Sequence, residues 1–142
     1  MTGARRISCV EDNLADFGLL KEAFLDLELE HHLDHVVDGE CALAYLLRQG
    51  KYAATPIPDL VLLDLNLPRK SGFEVLQELS KDPALQRLPI VILTTTAREL
   101  DVKRAAGDLQ IHFITKPMDF DAFLDVVRHI DAIVRGVPRQ AP

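Results

Sequence analysis

Asp64 closes an almost unbroken apolar run, Pro58-Asp59-Leu60-Val61-Leu62-Leu63-Asp64, and turn-forming residues, Asn66-Leu67-Pro68, come just after it. A run this rich in Leu and Val reads as a strand buried on both faces. An ionised carboxylate inside such a strand would be costly to desolvate, so Asp64 should emerge at the strand's carboxyl end. In open α/β sheets that edge is where ligands bind. Other groups follow the same rule. Glu11 and Asp12 come after Ile7-Ser8-Cys9-Val10, Thr94 ends Pro89-Ile90-Val91-Ile92-Leu93, and Lys116 comes after Phe113-Ile114-Thr115. Three acids, a lysine and a threonine at strand ends describe a metal-assisted phosphoryl acceptor.

A carboxylate attacks a phosphoryl group poorly, because both partners are anionic. A hard divalent cation that bridges them removes the obstacle. Mg²⁺ suits the task, since it takes oxygen ligands, usually one or two carboxylates, and keeps several waters. On this reading Asp12 and Asp64 supply carboxylates, Asn66 its backbone carbonyl, and Glu11 a contact through water. Lys116 neutralises another oxygen of the transferred group, and the Thr94 hydroxyl donates to it. An aspartyl phosphate is a mixed anhydride, so it hydrolyses and the site resets. Each residue alone has a plainer role: strand-end acids cap helices, Lys116 beside Pro117 suits a solvated turn, and Thr94 suits a strand. Their joint occurrence carries the functional reading. Pro117 shapes its turn and admits a cis bond, which X–Pro tolerates far better than other pairs do.

The elements that must position these groups alternate between strand-like and helix-like segments, the signature of a parallel sheet covered on both faces. The first strand is Arg6 to Val10. Asn13 caps a helix whose apolar face is Phe17, Leu20, Phe24 and Leu27. A second strand is expected at His35-Val36-Val37, ending on Asp38-Gly39. The next helix, Glu40 to Gln49, stops at Gly50, a residue suited to a left-handed cap. Ser71-Gly72-Phe73-Glu74 is a capping box opening a third helix, which Asp82-Pro83 ends. Pro89 to Thr94 is the fourth strand. Thr96-Ala97-Arg98-Glu99 repeats the capping box, and Gly107 closes that helix. Ile111 to Thr115 is the fifth strand. Asp119 caps a last amphipathic helix through Phe120, Phe123, Leu124, Val127, Ile130 and Val134. The tail from Gly136 to Pro142 is expected to be loose.

Five such units fit a flavodoxin-like, doubly wound, five-stranded parallel sheet of order 2-1-3-4-5, with its switch point between strands 1 and 3. That order sets Glu11 and Asp12 beside Asp64. With 142 residues, 1–142, the chain is expected to be one domain with a core over about residues 6–134. A formal net charge of −6 argues against nucleic acid as a partner, since phosphate backbones want a clustered basic patch. Cys9 and Cys41 read as small core residues of a reducing cytosol. Met1 to Arg6 carries no signal-peptide pattern, and no stretch approaches a membrane span. A soluble, cytoplasmic protein is expected. The histidines, His31, His32, His35, His112 and His129, lack metal-ligand spacing.

Glu11-Asp12-Asn13, the Asp64 strand ending, Asn66-Leu67-Pro68 with Gly72, the Thr94 strand ending and Lys116-Pro117 together resemble the receiver domain of two-component response regulators. The resemblance covers about Arg6 to Val134. It implies that Asp64 accepts a phosphoryl group from the phosphohistidine of a sensor histidine kinase. It implies further that Asp12, Asp64 and the Asn66 carbonyl bind Mg²⁺ with help from Glu11, and that Thr94 and Lys116 engage the phosphoryl group. Phe113 matches the aromatic switch residue, whose ring turns inward when Thr94 moves. Such a protein is not an enzyme towards external substrates; it catalyses only its own phosphorylation and autodephosphorylation.

Finer texture narrows the group. Asp38-Gly39-Glu40 with Ala44-Tyr45-Leu46, Leu63 through Lys70, and Leu93-Thr94-Thr95 look like single-domain receivers paired with phytochrome-type kinases. Thr95 departs from most receivers, where a smaller residue follows the threonine. Ile133-Val134-Arg135 replaces the family's aromatic ending of the last helix. The resemblance implies a stand-alone switch whose output is binding, including a homodimer through the fourth helix, fifth strand and fifth helix. Three other classes stay open at this level. A flavodoxin-like cofactor binder would want a Gly-rich phosphate loop, and none follows any strand. A hydrolase would want a second general base near Asp64. A phosphate-independent docking protein would bind its partner equally well as Asp64→Asn.

Overall fold

The computed structural model describes residues 5–94 and 99–136. Thr95 and the capping box beginning at Thr96 lie outside the described residues, as does the tail beyond Gly136. Five parallel strands, β1 (Arg6–Val10), β2 (His32–Val36), β3 (Leu60–Leu63), β4 (Pro89–Thr94) and β5 (Gln110–Thr115), form one sheet in the order β2-β1-β3-β4-β5. The helices are α1 (Leu14–Asp26), α2 (Gly39–Leu46), α3 (Gly72–Ser80), α4 (Glu99–Ala106) and α5 (Phe120–Arg135). The expected flavodoxin-like architecture is the one observed.

Side chains alternate across the pleat, so successive residues of each central strand enter different cores. Val10, Val61, Leu63, Ile90 and Ile92 meet α2, α3 and α4 on one face. Ile7, Cys9, Leu60, Leu62, Val91 and Leu93 meet α1 and α5 on the other. This two-sided burial explains why β3 and β4 read as continuous apolar runs rather than alternating ones. Among the described residues no helix is long and apolar enough to cross a membrane.

Three local expectations need correction. β2 runs from His32 to Val36, not over His35 to Val37, and Val37 is exposed. Its polar half escapes a hydrophobic pattern because β2 is an edge strand, where Asp34 pairs with Arg6 at 2.7 Å and with His32 at 2.9 Å. The second helix stops at Leu46, before Gly50. Arg48, at φ 56°, takes the left-handed position, and the Gln49 amide reaches back to the Ala44 carbonyl at 2.8 Å. Gly50 is left-handed as well, at φ 55°, but it lies beyond the cap and opens a short 3₁₀ turn over Gly50–Tyr52. A helix end can thus be closed by a non-glycine residue when the backbone bonds of the cap compensate its strain. Lastly, all described peptide bonds are trans, Lys116–Pro117 included.

His31 has a structural part that spacing did not suggest. Its side chain is 1% exposed, its Nδ1 accepts from the Arg5 amide at 3.0 Å, and its Nε2 donates to Asp131 at 2.7 Å. It ties the start of β1 to α5.

Gly18 gives a clean test of helix propensity. It lies exposed in the middle of α1, and a Cβ there would meet nothing within 4 Å. Gly18→Ala is expected to stabilise the protein by about 1 kcal/mol, read as a higher urea midpoint with an unchanged slope.

Candidate functional site

The carboxyl edge of the sheet gathers the predicted residues through backbone registration. The Asp64 amide donates to the Val10 carbonyl at 3.1 Å, and the Glu11 amide donates to the Val36 carbonyl at 2.9 Å. β1 is therefore locked to both neighbours where its acids begin. The Lys116 amide donates to the Thr94 carbonyl at 2.7 Å, which sets the lysine at the end of β4 as well as β5. Thr94, the last residue of β4, is fully buried.

Carboxylate oxygens of Glu11, Asp12 and Asp64 lie within 4.8 Å of one another. Asp12 is exposed, while Glu11 and Asp64 are buried. Asn66 is exposed two residues after Asp64, and its amide donates to Asp64 Oδ1 at 3.0 Å. That bond leaves Asp64 Oδ2 to Lys116, whose Nζ approaches it at 3.3 Å. The same ammonium reaches Glu11 Oε1 at 2.7 Å and Asp16 Oδ2 at 2.7 Å.

Asp16 was not among the residues singled out from sequence. It is the acid in the first turn of α1, whose cap Asn13 accepts from the Ala15 and Asp16 amides. An acid there reads as a partner of the helix dipole. No local signal marks its pairing with Lys116, which stands one hundred positions along the chain.

Burial is the main force that pushes the Glu11 carboxyl up to about 8, and the neighbouring Asp64 adds to it against the pull of Lys116. Burial pulls the Lys116 ammonium down, but the hydrogen bonds it donates to Asp16 and Glu11 and the charge of Asp64 more than offset it and hold it above its ordinary range. Glu11 Oε2 is buried with no hydrogen-bond partner. An all-oxygen set with an unsatisfied buried carboxylate oxygen is a fitting environment for a hard divalent cation.

The Glu11 backbone is pinned a second time. Its carbonyl accepts from His35 Nε2 at 2.6 Å, which requires the hydrogen on that nitrogen, and Phe17 stacks on the imidazole at 4.1 Å with planes 9° apart. His35→Phe retains a ring for the stack and leaves the carbonyl without its donor. It is expected to lose about 1–3 kcal/mol in urea unfolding. His35→Gln, which keeps a donor, should lose less.

The loop after Asp64 is set by close approach. A Cβ on Gly39, at the start of α2, would overlap the Lys70 carbonyl oxygen, and Arg69, at φ 69°, reaches Asp38 at 3.5 Å. Phe113 is half-buried and packs against the core on the α4 side.

Residues 7–128 match the family model described as the response regulator receiver domain. The response regulator Rcp1 of Synechocystis sp. is 40% identical over 127 residues, which are 89% of this chain and 86% of Rcp1. Among solved structures, the phosphorylated cyanobacterial phytochrome response regulator RcpA is similar with a TM-score of 0.83 and 39% identity, over 96% of this chain and 99% of RcpA. The Mn²⁺-bound form of Rcp1 is similar with a TM-score of 0.81 and 37% identity, over 96% and 99%.

Proposed function

This chain belongs to the response regulator receiver family, and we propose that Asp64 is its phosphoacceptor, charged by a sensor histidine kinase of the phytochrome type. The observation that carries this reading is the convergence of Glu11, Asp12 and Asp64 within 4.8 Å, with Lys116 on Asp64 at 3.3 Å. An Asp64 oxygen attacks phosphorus, the N–P bond of the donor histidine breaks, and the imidazole leaves. Lys116 has only to keep its ammonium near Oδ2 to meet an oxygen of the incoming group. Thr94 supplies a hydroxyl from the adjoining strand end. Asn66 holds Oδ1 through its amide, so the attacking carboxylate is oriented before the donor arrives.

Mg²⁺ held by Glu11, Asp12, Asp64 and the Asn66 carbonyl would supply positive charge between the two anions, and the Mn²⁺-bound form of the relative Rcp1 supports a divalent ion at such a site. The phytochrome link rests on the likeness to RcpA. On this reading the chain's chemistry is confined to its own carboxylate and the return of the phosphoryl group to water.

The output surface is α4, β5 and α5. β5 is an edge strand whose Ile111, His112, Phe113 and Ile114 are half-buried, and Leu100 on α4 is exposed. A half-covered apolar edge of this kind favours pairing with a second copy.

Intact mass after incubation with acetyl phosphate, with and without Mg²⁺, tests the central step. One phosphoryl group gained only with Mg²⁺, and none by Asp64→Asn, is the expected result. Failure with acetyl phosphate and again with phosphorylated phytochrome-type kinases would overturn it.

A further inference from the structure

We propose that Asp16 is a positioning residue that holds Lys116 clear of Glu11 and Asp64 when a divalent cation takes those carboxylates. The inference rests on the receiver reading above and adds a residue to it. An ammonium has three N–H donors, and Lys116 has three carboxylate partners: Glu11 and Asp16 at 2.7 Å each and Asp64 at 3.3 Å. Two of these belong to the acid cluster, and Asp16 does not.

A cation among Glu11, Asp12 and Asp64 competes with Lys116 for the same oxygens and is repelled by its charge. Asp16 gives the lysine a charged partner that the cation does not need. Its position is independent of the cluster, because it is set by the Asn13 cap at the start of α1. It also lies further out: its side chain is 25% exposed and that of Glu11 is 7%. Without Asp16 every strong bond of the ammonium falls on cation ligands, and each must be broken or shared before the cation enters.

Mg²⁺ titration by calorimetry, with Mn²⁺ water-proton relaxation as a second readout, tests this on the full chain. Asp16→Asn should weaken Mg²⁺ binding about tenfold, the scale of one charge-assisted hydrogen bond. Asp16→Glu should restore most of it, since it keeps the charge with one more methylene of reach. Lys116→Met separates positioning from simple charge. In that background Asp16→Asn should cost about twofold or less, because only its distant charge remains to be lost.

Equal losses in both backgrounds would overturn the inference and leave Asp16 as background charge. No loss in the wild-type background would do the same. Circular dichroism of each variant in chelator checks that the fold is intact. A wild type that binds neither Mg²⁺ nor Mn²⁺ would overturn the metal reading itself, and this inference with it, which distinguishes the two failures.

Discussion

Asp64→Asn should take up no phosphoryl group and yet, at pH 8 in the absence of metal, be more stable than the wild type by about 1–3 kcal/mol. The gain comes from charge crowding. Oxygens of Glu11, Asp12 and Asp64 sit within 4.8 Å of one another, and at an effective dielectric near 20 one like-charge pair at that range is worth roughly 3 kcal/mol. Against this stands the lost attraction to Lys116, whose contact with Asp64 is the longest of its three at 3.3 Å. The amide oxygen of Asn still accepts from the Asn66 amide, so the loop keeps its anchor. Function is thus held at the expense of stability, as is common where a site must crowd like charges.

The pH dependence follows from Glu11. Its folded value is raised from 4.5 to about 8, so the folded state binds more protons than the unfolded one between those limits. Stability is then present in full below about 4.5 and declines as pH rises towards 8. Asp64→Asn removes one of the two causes, burial being the larger, and should flatten the decline. Urea unfolding in chelator at pH 6 and pH 8 reads both effects. A mutant less stable than the wild type at pH 8 would sink the crowding account. Saturating Mg²⁺ should close or reverse the gap, since only the wild type keeps the full carboxylate set, and binding at one hundred times Kd adds about 2.7 kcal/mol.

Gly72→Ala should destabilise the protein by about 3 kcal/mol or more and impair phosphorylation with it. A Cβ at Gly72 would lie 2.6 Å from Leu65 Cα and 2.8 Å from the Asp64 carbonyl oxygen. Both are backbone atoms, so no rotamer change relieves the overlap. The Gly72 amide also donates to the Leu65 carbonyl at 2.9 Å, which ties α3 to the end of β3. Relief requires the helix start to move away from the acceptor, breaking that tie and displacing Asp64. Thermal unfolding and acetyl phosphate uptake should therefore fall together. Gly18→Ala, on α1 across the sheet with open space around it, should raise stability and leave uptake unchanged. A tolerated Gly72→Ala would mean that the turn after Asp64 is softer than its packing implies.

Much of this site was legible before any coordinates, for a simple reason. Strands buried on both faces must be apolar, so the first carboxylate, lysine or threonine after such a run marks the strand end, and strand ends on one edge converge. Glu11, Asp12, Asp64 and Thr94 are found this way, and Lys116 by its place directly after the apolar stretch of β5, a half-buried edge strand. The capping residues Asn13, Ser71 and Asp119 were equally plain, because a helix start needs a side-chain acceptor and each provides one. β2 was misplaced because an edge strand need not be apolar, and polar pairs such as Arg6 with Asp34 leave no periodic trace. The end of α2 was misread because Arg48 adopts a backbone conformation that sequence assigns to glycine.

The one-dimensional order of residue types therefore determined the fold class, the sheet order that follows from it, and which groups stand at the ligand edge. Only the tertiary structure decided how those groups share their charges. Asp16 looked like an ordinary first-turn acid, and its bond to Lys116 spans one hundred positions of sequence. Nothing local encodes such a pair. His35 and Phe17 likewise became supports of the Glu11 carbonyl only when β2 came to lie beside β1. Strand ends obey a local rule of burial, whereas partners across the edge depend on packing between elements distant in the chain.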